Sequence, residues 1–453
     1  MPADAPAPSL VAGIDALLER GLPKMMPLMR RLFPLCRSLT GPGVRQTLDA
    51  LGEVHPLDRR RVPTGSKCFD WEVPREWSVR QAYVKNEKGE KVIDFAVNNL
   101  HLVGYSVPIR RSLSLKELQE HLHSLPDDPD AIPYRTSYYN ESWGFCLAHS
   151  RRESLSEGRY DVVIDSTLEP GHMDYGEAFL GRPGSPELFF STYICHPSMA
   201  NNELSGPVLV ANLMALLRGL PTGRYAYRAL FAPETIGALA FLAERHEELK
   251  RTMTAGYVVT CVGDDGPFTY VRSKRGNTPA DKAAAHALAH VARRRQRPVT
   301  VKGFDPIGSD ERQYCSPGFN LPVGSILRSR HGEYREYHTS NDDLTFVSEE
   351  GLAGGLEAYL RVIQTLEMNC RPLRTNPYGE PQLGKRGLYN NLGVSVADDW
   401  IVTIMNILSF ADGDHDLIDI AERLGRPVWE LREPLRKLVQ AELLRLDLTE
   451  APS

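Results

Sequence analysis

The chain has 453 residues, of which 42% are hydrophobic and 25% charged, and its formal net charge is −5. This is the composition of an ordinary globular protein with room for two or three domains. The slightly acidic balance argues against a general surface for nucleic acid or anionic membranes, and no apolar run approaches the roughly 18 residues of a transmembrane span, so we expect neither partner.

The first eight residues lack the basic and apolar regions of a signal peptide, which predicts a cytoplasmic location. Seven cysteines are dispersed along the chain without a CxxC pair, which predicts reduced and mostly buried thiols. One of them, Cys195, precedes His196, but neighbouring strand residues point to opposite faces. We therefore expect Cys195 in the core and not as a nucleophile.

The pattern is helical over residues 11–51 and rich in strands over residues 62–149. Within the second stretch, residues 82–85 and 92–95 predict a hairpin, and the α/β pattern returns at residues 160–164. We interpret the strand-rich stretch as a small β domain inserted into a larger one. The predicted domains are 1–61 together with 150–373, 62–149, and 377–453.

The inserted domain is expected to roof a pocket of the larger domain. Its aromatic residues Tyr138, Tyr139 and Trp143 are candidates for substrate walls, with Tyr139 taken as the substrate-binding residue. An aromatic core of the insert explains the same residues equally well.

Apolar strands are predicted at residues 188–195, 225–232 and 256–262. A helix at residues 207–217 connects the first two strands. Strands that alternate with helices in this way predict a parallel α/β sheet. His196 follows the first strand, Glu234 the second, and Asp264 the third. Because sites in such sheets lie at the carboxyl ends of the strands, these residues are expected at one edge.

His196, Glu234 and the later His338 are the usual parts of a hydrolytic zinc site. Imidazole suits zinc, and a free glutamate acts as the base that takes a proton from water and passes it to the leaving nitrogen. Each residue alone has a structural explanation, since His196 could bond the backbone, Glu234 could cap a helix and His338 could belong to a polar turn. Their common order favours a shared site.

The chain resembles the zinc aminopeptidase and glutaminyl-cyclase-like exopeptidase superfamily. The resemblance rests on a histidine at a strand end, a polar loop ending in Ser-Gly, Pro-Glu-Thr-Ile-Gly on the next strand and a late Tyr-His-Thr-Ser. More closely, it is similar to bacterial aminopeptidase-like domain proteins of unassigned function, often associated with polysaccharide or natural-product gene sets. The matching runs are 194–206, 231–237, 337–343, 36–41, 138–146, 308–315 and 378–384. The resemblance implies a zinc-exopeptidase-like fold, a largely parallel mixed sheet flanked by helices, with an inserted β domain and a C-terminal winged helix.

Several positions depart from the two-zinc pattern of that superfamily. The bridging aspartate is replaced by Asn202, and the acid that normally follows the base is Thr235. The next ligand position falls near Thr260, with Asp264 a few residues beyond as a further candidate. These departures predict one zinc ion and not two.

The resemblance, carried onto the residues that remain, implies zinc ligands His196, His338 and Glu203, with Glu234 as the general base. A carboxylate is a better zinc ligand than the neutral carbonyl of Asn202. Loss of metal binding altogether stays open as the alternative, because two ligand positions are neutral.

Cationic groups are expected on the same face to bind a substrate carboxylate, and Arg275 and Arg330 are the candidates. Solvated surface charge explains both equally well. Asp310 lies in a run that resembles a superfamily motif, so we expect it beside the site, supporting the ligands.

The C-terminal segment is predicted to form a separate winged-helix unit, with helices at 400–410, 417–424 and 428–444 and a short strand at 444–446. DNA binding is the obvious hypothesis for such a unit. From residue 401 to 453, however, six Lys and Arg face ten Asp and Glu, a net charge of −4 and the wrong sign for a phosphate-binding surface. A packing or oligomerisation role fits better.

Together these features predict a zinc-dependent, aminopeptidase-like hydrolase of an amide or peptide bond in a small polar or short peptide-like substrate, which the resemblance links to polysaccharide or natural-product metabolism. Two alternatives stay open: an inactive peptidase-like protein that binds a ligand, and a DNA-binding regulator. The bond that is cut, the activity itself and the oligomeric state do not follow from the sequence.

Overall fold

The computed structural model describes residues 13–221, 223–388 and 399–447. The predicted leaderless start at residues 1–8 lies outside them. The strands are β1 Asp58–Pro63, β2 Lys67–Cys68, β3 Trp71–Glu72, β4 Glu76–Lys85, β5 Lys91–Asp94, β6 Ile109–Ser114, β7 Leu122–His123, β8 Phe145–Cys146, β9 Arg159–Glu169, β10 His172–Leu180, β11 Glu187–Tyr193, β12 Ala226–Ala232, β13 Met253–Val259, β14 Phe268–Val271, β15 Val299–Lys302, β16 Val323–Leu327, β17 Arg371–Arg374 and β18 Leu444–Asp447. The α-helices are α1 Ile14–Leu32, α2 Pro42–Val54, α3 Leu115–Gln119, α4 His149–Glu153, α5 Ser205–Arg218, α6 Ile236–Thr252, α7 Pro279–Arg294, α8 Glu311–Tyr314, α9 Glu349–Met368, α10 Asp399–Ser409, α11 Leu417–Leu424 and α12 Arg432–Gln440.

An eight-stranded mixed sheet forms the centre of the fold, in the order β1-β10-β12-β11-β13-β16-β14-β15. Its four middle strands, β12, β11, β13 and β16, run parallel to one another. Every residue of β11, β12 and β13 is buried, as expected for strands covered on both faces. The predicted largely parallel α/β fold is therefore confirmed.

Helices cover both faces of this sheet. On one face α1, α5, α7 and α9 share an apolar cluster with the strands, and on the other α6 packs its Phe241 ring parallel to Phe189 at 5.6 Å. Helix α5 is apolar and buried nearly all round because it lies between the sheet and the outer helices α1 and α9.

A smaller four-stranded sheet, β5-β4-β9-β6, stands beside the large one. The predicted hairpin is confirmed, since Tyr83 pairs with Asp94 in antiparallel register. The expectation that residues 160–164 return to the α/β sheet is wrong, because they form the centre of β9 between β4 and β6. The division into three domains stays a prediction.

The C-terminal unit has its own apolar core and is a winged helix. Helices α10 and α11 match the predicted ones, whereas the single predicted helix at 428–444 is a short 3-10 turn, Val428–Leu431, followed by α12. The unit docks on α7, where Nε2 of the buried His286 accepts the backbone N–H of Val428 at 3.0 Å.

Among residues 13–221, 223–388 and 399–447, the helices are all too short or too polar to cross a membrane.

Candidate functional site

Three predicted site residues meet at the carboxyl edge of the parallel strands. His196 follows β11 and Glu234 follows the adjacent β12, so that Nε2 of His196 lies 3.6 Å from Oε2 of Glu234. The ring of His338 lies 5.4 Å from that of His196, centroid to centroid. The structure thus brings together an imidazole pair and a carboxylate.

The backbone at this edge is held in an unfavourable conformation. Thr235, next to Glu234, has a φ of 64°, and His338 has a φ of 56°. Left-handed backbone is uncommon for residues other than glycine, and it concentrates where a structure fixes a functional group.

His196 is buried, and the Nδ1 side of its ring contacts a carboxylate. Its Nδ1 lies 2.8 Å from Oε2 of Glu203, whose Oε1 is 3.6 Å from Nε of Arg37. Nε of Arg37 also donates to the backbone oxygen of His196 at 2.9 Å. Burial lowers the pKa of His196, but its neighbours Cys195 and Glu203 outweigh burial and hold it well above the ordinary value.

His338 is in the opposite electrostatic state. Burial lowers the pKa of its ring to about 3, and the positive charge of His196 adds to the effect. The ring stacks on Tyr337 at 3.9 Å between centroids. His338 is therefore neutral at physiological pH, the form in which imidazole binds a metal.

Asn202, which the sequence resemblance places opposite a bridging aspartate, is buried in the turn before α5. Its amide nitrogen donates to the hydroxyl of Tyr193 at 2.8 Å, and its backbone N–H donates to Oδ2 of Asp342 at 2.9 Å. Its Oδ1 is buried and has no hydrogen-bond partner among the described residues. A buried polar atom left without a partner calls for a ligand or a solvent molecule.

On the Nε2 side of His196 lie groups of the types that zinc sites use, with the Glu234 carboxylate 3.6 Å from Nε2 and the ring of His338 5.4 Å from the His196 ring. Imidazoles are common zinc ligands, and a carboxylate beside them can act as the base on a zinc-bound water. Among the described residues, the group of three whose ligand atoms all lie within 4.8 Å of one another is on the Nδ1 side, formed by Cys195, His196 and Glu203. In that set the ligand atoms already contact one another, since Nδ1 of His196 lies 2.8 Å from Oε2 of Glu203 and 3.6 Å from Sγ of Cys195.

Asp264 is not a free ligand. Its Oδ2 accepts from the amide of Asn201 at 2.8 Å, and its Oδ1 accepts from the hydroxyl of Ser329 at 2.7 Å and from the N–H of Gly266 at 2.6 Å. The carboxylate ties the loop after β13 to the one that carries Asn201.

Asp310 lies beside the candidate base. Its Oδ1 accepts the backbone N–H of Thr235 at 2.8 Å, and burial together with the charge of Glu234 raises its pKa well above the ordinary value. The neighbouring Ser309 hydroxyl is 3.4 Å from Oε1 of Glu234. This loop therefore supports the strained turn that presents Glu234.

The two predicted cationic residues are separated. Arg330 follows the parallel strand β16 at the site edge but is paired with Asp305 and Glu333. Arg275 lies at the opposite edge, in a cavity of 380 Å³ that it shares with residues just before β12 and β16, with the start of β13 and with Asp416 of the C-terminal unit. The expectation for Arg275 is wrong because β14 runs antiparallel to β16, so the residues after it emerge at the other edge.

Tyr139 also points elsewhere. It is 47% exposed, its hydroxyl donates to the backbone of Glu72, and its ring packs against Trp71. The aromatic residues over the site are Tyr134, whose ring is edge-on to His196 at 5.1 Å and to His338 at 5.2 Å, and Tyr138, whose hydroxyl is 2.8 Å from that of Tyr134.

Sequence reasoning missed Tyr134, Arg37 and His331. Tyr134 precedes Tyr138 by four residues and is joined to the site by its backbone N–H, which donates to the carbonyl of His338 at 2.8 Å. Both ring nitrogens of His331 are buried without a partner among the described residues. The clustering of aromatic residues around position 138 was a usable signal for Tyr134. For Arg37 the signal was its place in the family-like run 36–41.

The cationic side chains of the winged helix are largely engaged within the unit. Arg426 pairs with Asp399, Arg436 with Glu433, and the ammonium of Lys437 lies 4.6 Å from the ring of Trp400. This leaves little positive charge for a phosphate backbone.

Comparison with known proteins matches residues 26–369 to a family described as "Domain of unknown function (DUF4910)" and residues 371–446 to a winged helix-turn-helix family. A Clostridium acetobutylicum protein, named as a candidate polysaccharide biosynthesis protein with an aminopeptidase-like domain, is 45% identical over 420 residues, which is 92% of this chain and 95% of that protein.

Solved structures give the same result for the fold. The crystal structure of a candidate peptidase from Clostridium acetobutylicum has a TM-score of 0.89 at 43% identity and covers 96% of this chain and 98% of its own. A zinc aminopeptidase from Bacillus subtilis has a TM-score of 0.54 at 11% identity, over 76% of this chain and 94% of its own. A peptidase M28 precursor from Shewanella amazonensis has a TM-score of 0.54 at 12% identity, over 77% and 94%. These two distant likenesses concern the fold alone.

Proposed function

The chain belongs to the family described as domain of unknown function DUF4910, and from the geometry of its site we propose that it is a zinc-dependent hydrolase of an amide or peptide bond in a small polar substrate. One observation carries the proposal. His196, Glu234 and His338 meet at the carboxyl edge of the sheet, with Nε2 of His196 3.6 Å from the Glu234 carboxylate. The aminopeptidase-like fold supports a peptidase-like reaction.

The ligands we propose are His196, through Nε2, and His338, for one zinc ion. The raised pKa of His196 keeps its ring protonated without metal, so zinc binding would release the proton on Nε2. The two imidazoles have no competing hydrogen bond on the shared side among the described residues, and the Asn202 Oδ1 is a buried acceptor with no partner. When bound, zinc lowers the pKa of a water molecule to about 7 and polarises the substrate carbonyl.

Glu234 is the proposed catalytic base. Its side chain is 27% exposed and is thus reachable by substrate, while Asp310 and Ser309 hold the turn that carries it. It takes the proton from the attacking water and delivers it to the leaving nitrogen. Tyr134 and Tyr138 form the wall over the two histidines and exclude bulk water from the bond that is cut.

For the substrate we propose a short peptide-like or acylamino compound. The name of the Clostridium acetobutylicum relative supports a place in polysaccharide metabolism, which an aminoacyl or acylamino sugar would fit. The seven cysteines are all unpaired, six of them buried, which supports action in the reducing cytoplasm.

The test is elemental analysis of the purified protein, followed by hydrolysis assays on aminoacyl 4-nitroanilides and N-acylated amino sugars with and without a chelator. We expect zinc in the protein and turnover that the chelator stops and added zinc restores. Zinc that is absent even after it is offered, or turnover that ignores the chelator, would refute the proposal.

A second candidate is an inactive, ligand-binding relative of the peptidases. The observation that favours it is the neutral Asn202 together with the fully engaged Asp264, which leaves fewer charged ligands than a two-metal site has. It predicts a melting temperature that neither zinc nor a chelator changes.

A further inference from the structure

We propose that Glu203 and Arg37 are positioning residues that hold His196 with Nε2 toward the site, and that Glu203 is not a metal ligand. This inference rests on the proposed function, because it concerns how the proposed zinc ligand is oriented. It replaces the role that the sequence suggested for Glu203.

The contacts show which ring nitrogen of His196 is already hydrogen-bonded. Oε2 of Glu203 lies 2.8 Å from Nδ1 of His196, within hydrogen-bond distance, so that nitrogen is occupied. The other nitrogen, Nε2, faces Glu234. A ligating histidine commonly donates its second N–H to a carboxylate, which fixes the ring and raises its basicity as a ligand.

Arg37 contacts both His196 and Glu203. Its Nε donates to the backbone oxygen of His196 at 2.9 Å and lies 3.6 Å from Oε1 of Glu203. Its Nη1 donates to the carbonyl of Leu32, the last residue of α1, at 2.7 Å. One guanidinium therefore joins the end of a helix, the backbone of the proposed ligand and the carboxylate behind it.

Burial explains why Glu203 stays in this place. The side chains of Arg37 and Glu203 are both fully buried, and Glu203 is the only carboxylate within 4 Å of the Arg37 guanidinium in the described part of the chain. If Glu203 left to bind zinc, it would leave a buried arginine without a counter-charge, which is strongly unfavourable. Nδ1 of His196 would lose its partner in the same step.

The position of Glu203 follows from an irregular turn. Residues Ala200–Leu204 form one turn of π-helix directly before α5. Single π-helical turns are rare and are frequent at functional sites. This turn places Glu203 behind His196 while its neighbour Asn202 donates to Tyr193.

The experiment measures the affinity for Zn²⁺ by competition with a chromophoric chelator, together with the absorption spectrum of the Co²⁺-loaded protein, in Glu203→Gln, Arg37→Lys and Arg37→Met. For a positioning role we expect Glu203→Gln to keep the metal stoichiometry and the shape of the Co²⁺ spectrum while affinity falls about 10- to 100-fold. Arg37→Met should lose affinity similarly, and Arg37→Lys should recover part of it.

The matched control is Glu187→Gln. Glu187 is another fully buried glutamate paired with an arginine, Arg228 at 3.1 Å, but it lies at the start of β11, away from the site. Glu187→Gln should lower the melting temperature measured by circular dichroism without changing the affinity for Zn²⁺. This control separates an effect on the site from a general loss of stability.

The outcomes are distinct. Loss of one bound ion in Glu203→Gln, or a changed Co²⁺ spectrum, would identify Glu203 as a ligand and overturn this inference alone, as would unchanged affinity. A parent protein that binds no zinc would overturn the proposed function and this inference with it.

Discussion

Nε2 of His196 and Oε2 of Glu234 lie 3.6 Å apart at the ends of two adjacent parallel strands. That distance is too long for a hydrogen bond, so neither group is committed to the other. The carboxylate on the far side of the ring, Glu203, is hydrogen-bonded. The imidazole of His196 thus lies between a carboxylate that is hydrogen-bonded to its Nδ1 and a second carboxylate that is not hydrogen-bonded to its Nε2.

Replacing the proposed base tests the reaction directly. Glu234→Gln should lower kcat about 100- to 10,000-fold, because the amide cannot accept the proton of the attacking water. Zinc content should not change, since the ligands are elsewhere. Steady-state assays and elemental analysis check both; turnover equal to that of the parent would exclude Glu234 as the base.

Restoring a carboxylate at position 202 should strengthen metal binding. Without metal, Asn202→Asp should lose about 1–3 kcal/mol of unfolding free energy, because a buried charge replaces the amide that donates to Tyr193. Zinc should recover the loss and raise the melting temperature more than in the parent.

Asn212→Asp is the control for this change. Asn212 is equally buried on α5, where its amide donates to the carbonyl of Val208. Asn212→Asp should also lower the free energy of unfolding, but zinc should not restore it. Recovery in both variants, or in neither, would argue against a metal near Asn202.

Acid should weaken the docking of the C-terminal unit through His286. Burial lowers the pKa of this histidine from 6.5 to about 4, and the neutral Nε2 accepts the N–H of Val428. Because the folded pKa is depressed, the stabilisation is complete above pH 6.5 and is lost as the pH falls from there toward about 4. The loss amounts to about 1.4 kcal/mol per pH unit in that window.

Urea unfolding followed between pH 7.5 and 4.5 measures this loss against a His286→Gln variant. The variant lacks the titrating ring, so its stability should depend less steeply on pH over the same range. Identical slopes for the two proteins would show that His286 does not control the acid response.

The winged helix should not bind duplex DNA in a salt-sensitive way. The segment carries six basic against ten acidic residues, and Arg426 and Arg436 are held in ion pairs within the unit. Fluorescence anisotropy with a labelled duplex should show no binding at about 150 mM salt and little at about 50 mM. Tight binding that falls steeply with salt would revive the regulator hypothesis.

Local pattern was enough to predict the buried strands β11, β12 and β13 and the polar residues that follow them, because strand ends are marked in the sequence itself. The sequence does not mark which strands pair with each other. Whether residues 160–164 join the large or the small sheet, and which edge Arg275 faces, depends on pairing between distant segments.

In the candidate site, too, some residues could be predicted from the sequence and others could not. His196, Glu234 and His338 could be found from motif order, but the role of Glu203 depends on an irregular turn and on Arg37, which lies more than 150 residues earlier in the chain. No spacing rule relates those two positions, so the contact between the Glu203 carboxylate and Nδ1 of His196 could not be predicted from the sequence.

The antiparallel course of β14 has a consequence for how this protein can change over time. The winged helix rests on α7 and the amino edge of the parallel strands, and the histidines and Glu234 occupy the carboxyl edge. Substitutions at one edge therefore affect the other edge only through the sheet between them. The surface of the C-terminal unit and the residues around the two histidines can thus vary nearly independently of each other.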